Sequence, residues 1–96
     1  MLFALICTDK PNSLELRQQS RPGHLKFLES LGGNLKAAGP FTDDEGSPMG
    51  SLVIIEAQNR AAISEIAGRD PYAVAGLFAS VEIKPWKWLI KNPEAV

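Results

Sequence analysis

Six side chains here have the types that chemistry on a small molecule requires: Arg17, Arg21, His24, Ser51, Asp70 and Tyr72. They cluster in the stretches Arg21-Pro22-Gly23-His24, Gly50-Ser51 and Arg69-Asp70-Pro71-Tyr72, with Arg17 one helical turn before the first. His24 is the only histidine, and imidazole is the side chain whose ordinary pKa lies near neutrality. Leu28 and Leu31 follow it at i+4 and i+7, beside Leu25 and Phe27. A helix here turns His24 onto an apolar face, where an imidazole must find a polar partner or carry a desolvation cost. His24 is therefore the first candidate for proton transfer. The competing reading is a core histidine tied to a backbone carbonyl.

Each remaining residue also has two readings. Asp70 before Pro71 is the pattern of an N-cap with a first-turn proline, and a capping carboxylate keeps acceptor capacity for a second partner. Ser51 is either a strand-end residue or a hydroxyl donor; no strained elbow surrounds it to support a nucleophile. Arg17 and Arg21 could hold an anionic substrate group if their helix runs on to His24. Tyr72 either packs with its hydroxyl at the surface or faces a ligand. Cys7, in an apolar run, reads as buried and inert. Asp43-Asp44-Glu45 reads as a solvated loop. With one histidine and one cysteine, a transition-metal site has few ligands to draw on, and neither metal nor cofactor is expected.

The elements that must position these residues follow from pattern. Leu2 to Thr8 reads as an inner strand, apolar on both faces. Asn12 with Glu15 resembles a capping box, so a helix should start near Ser13. Pro22 predicts a break near Ser20-Arg21, with a second helical segment from Pro22 to Leu31. Gly32-Gly33-Asn34 is a stop. Leu35 to Ala38 is a short strand closed by Gly39-Pro40, and Thr42 to Pro48 a mobile loop. Gly50 to Ala57, rich in β-branched residues, is the clearest strand. Asn59 caps a helix over Arg60 to Ala67, and a short helix follows Asp70 through Ala75. Phe78 to Lys84 alternates as the last strand, and Asn92 to Val96 reads as a frayed tail.

The order is β-α-β-β-α-(α)-β, an α+β ferredoxin-like split βαβ pattern with an antiparallel sheet. Helices cover one sheet face; a homodimer packing sheet on sheet would cover the other. The chain has 96 residues, 45% of them hydrophobic and 22% charged, with a net charge of −1. That fits one domain over residues 1–96 and gives no electrostatic case for nucleic acid. No apolar run is long enough for a bilayer-spanning helix, so no membrane partner is expected. Met1 to Cys7 reads as a strand rather than a signal peptide. A single cysteine fits a reducing, cytoplasmic setting.

In order and spacing, these motifs resemble the YCII-related proteins along nearly the whole chain. The residues that carry the resemblance are Asp9-Lys10, Arg21-Pro22-Gly23-His24, Ala38-Gly39-Pro40, Gly50-Ser51, Asp70-Pro71-Tyr72 and Lys84-Pro85-Trp86. The resemblance implies a dimeric α+β barrel of ferredoxin-like subunits, with a pocket where His24 faces Asp70 and Ser51 is a neighbour. Arg21, Tyr72, Gly39 and Pro40, which lie in these motifs, and Arg17 from the helix reading are the candidates for contact with a small-molecule ligand. It further implies a lyase- or isomerase-like enzyme in which His24 and Asp70 form a general acid/base pair. The alternative is a non-catalytic dimeric module that binds a small ligand.

Overall fold

The computed structural model describes residues 1–94; Ala95 and Val96, the end of the tail read as frayed, lie outside them. The elements are β1 (Leu2–Asp9), α1 (Leu14–Ser30), a 3-10 turn (Gly32–Asn34), β2 (Leu35–Thr42), β3 (Pro48–Glu56), α2 (Arg60–Arg69), α3 (Pro71–Val74) and β4 (Phe78–Trp86). The strands form one sheet in the order β2-β3-β1-β4, and every neighbouring pair is antiparallel. This is the expected α+β ferredoxin-like arrangement.

Residues paired across strands share a face. Phe3, Leu5 and Cys7 of β1 therefore lie level with Ile55, Val53 and Ser51 of β3. That face holds the core with Leu28 of α1 and Ile63 of α2. The opposite face carries Leu2, Ala4 and Ile6 of β1 with Leu52 and Ile54 of β3. The two inner strands are thus apolar on both sides, as their continuous hydrophobic runs predict.

Three expectations need correction. The helix does not break at Ser20-Arg21: α1 runs unbroken with Pro22 inside it. An interior proline loses one backbone bond and costs about 3 kcal/mol. Here both Pro22 and Gln18, whose carbonyl loses its donor, are exposed, so water can take that bond. Arg17 before the proline and His24 and Leu28 after it are all buried, which anchors the helix on both sides. Nor does the Asn12–Glu15 capping box form. Asn12 has φ of 57°, and Ser13 is the N-cap without a side-chain bond to the helix.

The third correction concerns β2 and the loop after it. β2 continues through Gly39 and Pro40 to Thr42, because Pro40 sits on an edge strand where its missing N–H need not break the ladder. Pro85 extends edge strand β4 for the same reason. The acidic loop contracts to a closed hairpin turn. The Asp43 carboxylate accepts from the Glu45 and Ser47 N–H groups at 2.9 and 3.0 Å, and Gly46 supplies the φ of 87° the turn requires.

Candidate active site

α1 presents Arg17, Arg21, His24 and Leu28 along one stripe, at spacings of four, three and four. Its partner across the site is the Asp70-Pro71 corner between α2 and α3. A β-carbon at Gly23 would stand 3.3 Å from Pro71 Cβ, so the glycine lets α1 approach α3 closely. That approach brings His24 to Asp70: Nδ1 lies 2.8 Å from Oδ1, with both side chains buried. The same oxygen accepts the Tyr72 backbone N–H at 2.9 Å and caps α3. A carboxylate oxygen only accepts, so the imidazole carries its proton on Nδ1 and leaves the Nε2 lone pair free. Nε2 has no partner among the described residues and is not sealed from solvent.

Tyr72 braces the imidazole. Its ring stacks on His24 with centroids 3.9 Å apart and planes 12° apart, and its edge meets Phe78. The Arg17 guanidinium lies 4.8 Å from the Tyr72 centroid, a cation–π distance. Arg17 is buried and paired. Nη1 donates to Asp9 Oδ2 at 2.8 Å and Nη2 to Ser51 Oγ at 2.9 Å. Asp9 Oδ1 is buried without a hydrogen-bond partner among the described residues, so Arg17 alone offsets that buried charge. Burial pushes the Tyr72 phenol pKa up, and Arg17 and Arg21 oppose it; the group remains a neutral O–H donor. Burial first, then Asp70 and Asp9, push the Cys7 thiol up to about 12, well outside the range of a reactive thiolate.

These residues line a cleft of about 610 Å³, a volume suited to a small organic ligand. Its α1 wall holds Arg17, Arg21 and His24, and Ser51 and Tyr72 stand beside them. Gly39 and Pro40 of β2 form the facing wall, and the hairpin tip brings in Glu45. Every residue singled out from the sequence as a site candidate reaches this cleft except Asp70, which stands behind His24 and bonds to it. Two residues have a place at the site that the sequence reading does not assign: Asp9 behind Arg17 and Glu45 on the cleft. Asp9 enters there only in the Asp9-Lys10 motif of the resemblance, with no role at the site, though an arginine on a buried helix stripe needs a carboxylate somewhere. Glu45 is exposed, as the solvated-loop reading expects, but nothing local reveals that the tip of the β2–β3 hairpin lines the cleft.

Residues 1–87 match the YCII-related domain model. The chain belongs to the YCII-related family. It is 39% identical to Protein YciI of Escherichia coli O6:H1, over 91% of this chain and 97% of that one. A Haemophilus influenzae relative is 38% identical over the same shares. Among solved structures, the chain resembles 5-chloro-2-hydroxyhydroquinone dehydrochlorinase (TftG) of Burkholderia phenoliruptrix in complex with 2,5-dihydroxybenzoquinone. The TM-score is 0.82 at 33% identity, covering 91% of this chain and 94% of that one. Protein Atu4242 of Agrobacterium tumefaciens shares the fold alone, at TM-score 0.57 and 17% identity over 97% and 98% of the two chains.

Proposed function

We propose that this YCII-related protein is a small enzyme that eliminates or isomerises a small organic substrate by proton transfer. His24 Nε2 is the general base, later the acid, and Asp70 orients the ring and stabilises the imidazolium. The observation that carries this reading is the buried 2.8 Å His24–Asp70 contact behind an unpartnered Nε2 that opens on the cleft. Tyr72 and Ser51 are the hydroxyls at hand to bind substrate oxygens. The cleft volume of about 610 Å³ accommodates one substituted ring. The resemblance to TftG supports a lyase-type reaction on a hydroxylated ring. In such an elimination the base takes a proton, the halide leaves with the pair of its broken bond, and HX is lost without net oxidation.

The active unit we propose is a homodimer in the cytoplasm, its two sheets packed through the face that carries Ile6, Leu52 and Ile54. Among the described residues no helix is long and apolar enough to cross a membrane. The functional test is incubation with 5-chloro-2-hydroxyhydroquinone and its hydroxylated, halogenated relatives, followed by chloride release and product absorbance. We expect catalytic chloride release from at least one of them. His24→Gln should lower it by about 10²- to 10⁴-fold, the usual contribution of a positioned base. Compounds that bind and return unaltered would instead establish a binding module.

A further inference from the structure

The two arginines on the cleft wall are not equivalent. Arg17 is buried, its charge is paired with Asp9, and its Nη1 and Nη2 both have partners inside the protein. Arg21, one turn further along α1, lines the same cleft and is exposed. It has no carboxylate within ion-pair distance among the described residues. Arg21 and Tyr72 line the same cleft, and Arg21 stands three residues before the His24 whose ring stacks on Tyr72. The Tyr72 ring is buried, yet its hydroxyl is neither sealed nor bonded among the described residues. The cleft thus holds, beside the free Nε2 of His24, a fork of guanidinium N–H groups and one phenolic O–H. All are donors, and none has an internal acceptor. Among the described residues Glu45 is the one carboxylate that lines the cleft, and it sits on the hairpin tip.

We infer that Arg21 and the Tyr72 hydroxyl form a subsite for an ionised oxygen, and that the substrate is a small organic anion held there by its charge. Arg17 is the positioning residue that fixes Tyr72, and Arg21 is the residue that touches the ligand. A fork of N–H donors accepts a carboxylate or a phenolate oxygen in the same way. This inference rests on reading the cleft as the substrate site, but it does not depend on His24 acting as a base.

The test is binding of benzoate, 4-nitrophenolate and neutral benzamide to the full chain, followed by isothermal titration and by NMR shifts at Tyr72 and Arg21. We expect benzoate, 4-nitrophenolate or both to bind saturably and more tightly than benzamide, and the tighter of the two names the class of oxygen. Arg21→Gln should weaken that anion by about tenfold or more, the worth of a charge-assisted hydrogen bond. It should leave benzamide unchanged. Arg21→Lys should restore part of the loss, and Tyr72→Phe should cost a few-fold. His24→Gln should retain anion binding while losing turnover, so a failed base and a failed subsite give different results. The inference is overturned if neither anion binds, if benzamide binds as well as the anions, or if Arg21→Gln leaves anion affinity unchanged.

Discussion

Asp70 Oδ1 receives two N–H groups at once, one from the backbone of Tyr72 and one from His24 Nδ1. Sequence alone supplied the cap, because Asp before Pro is a local pattern. It could not supply the histidine, forty-six residues away in the chain, and the family resemblance named that partner. Arg17 and Asp9 make a second buried pair, and this one is structural. Removing Arg17 leaves the Asp9 charge buried without compensation, so Arg17→Met should lower stability by about 3–5 kcal/mol in urea melts. Replacing both, as Asp9→Leu with Arg17→Met, should recover most of that loss. Cys7 offers a pH test. Its folded-state pKa, pushed up to about 12, lies above that of an unfolded thiol. The folded chain therefore keeps its proton longer, and the resulting stability is present below the unfolded value and lost as pH rises toward the folded one. Urea midpoints should fall as pH is raised above 9, and less steeply in Cys7→Ala; the thiol should resist alkylation of the native protein at pH 8.

At the scale of elements, Pro22 shows why local signals mislead. A proline inside a helical pattern ordinarily breaks or kinks it, and Pro22-Gly23 reads as punctuation. Tertiary anchors overrule it: Arg17 on one side, His24 and Leu28 on the other. Pro22→Ala restores the lost N–H on an exposed surface. It should stabilise the fold by about 1–3 kcal/mol and leave the site in place, as thermal melts and the His24 NMR signals would show. Gly23 has the opposite character, since its missing β-carbon admits Pro71. Gly50 is stricter still: a β-carbon there would come 2.4 Å from the Cys7 carbonyl oxygen. The clearest strands and α2 were legible because their periodicity agrees with their burial. The edges β2 and β4 were underread, because an edge tolerates the prolines that usually end a strand.

For the whole molecule, the split βαβ order already fixes which strands are inner and which face the helices cover. What remains uncovered is the face bearing Leu52, Phe41 and Trp86, all partly exposed large apolar residues. Exposed apolar residues on one sheet face of a small chain mark a candidate interaction surface, and here Glu82 and Lys84 of β4 border it. Leu52→Asp would place a charge at its centre. Sedimentation should show a dimer for the natural chain at micromolar concentration and a monomer for this variant; a monomeric natural chain would contradict the dimer. The cleft lies on the other side of the sheet, between α1, α3 and the β2–β3 hairpin. Its depth and its Glu45 rim exist only once those elements meet, which is why no local stretch announced them.

The central claim is that Asp70 gives His24 the charge that makes it a base, beyond capping a helix. Asp70→Asn separates the two roles, because an amide oxygen still accepts the Tyr72 N–H and still caps α3 while the charge is gone. Chloride release from a turned-over halogenated hydroquinone should be compared in Asp70→Asn and the natural chain, alongside urea midpoints. We expect the unfolding free energy to change by less than about 1 kcal/mol and turnover to fall by about 10²-fold or more. Turnover that persists at the natural rate in a folded Asp70→Asn protein would contradict the account.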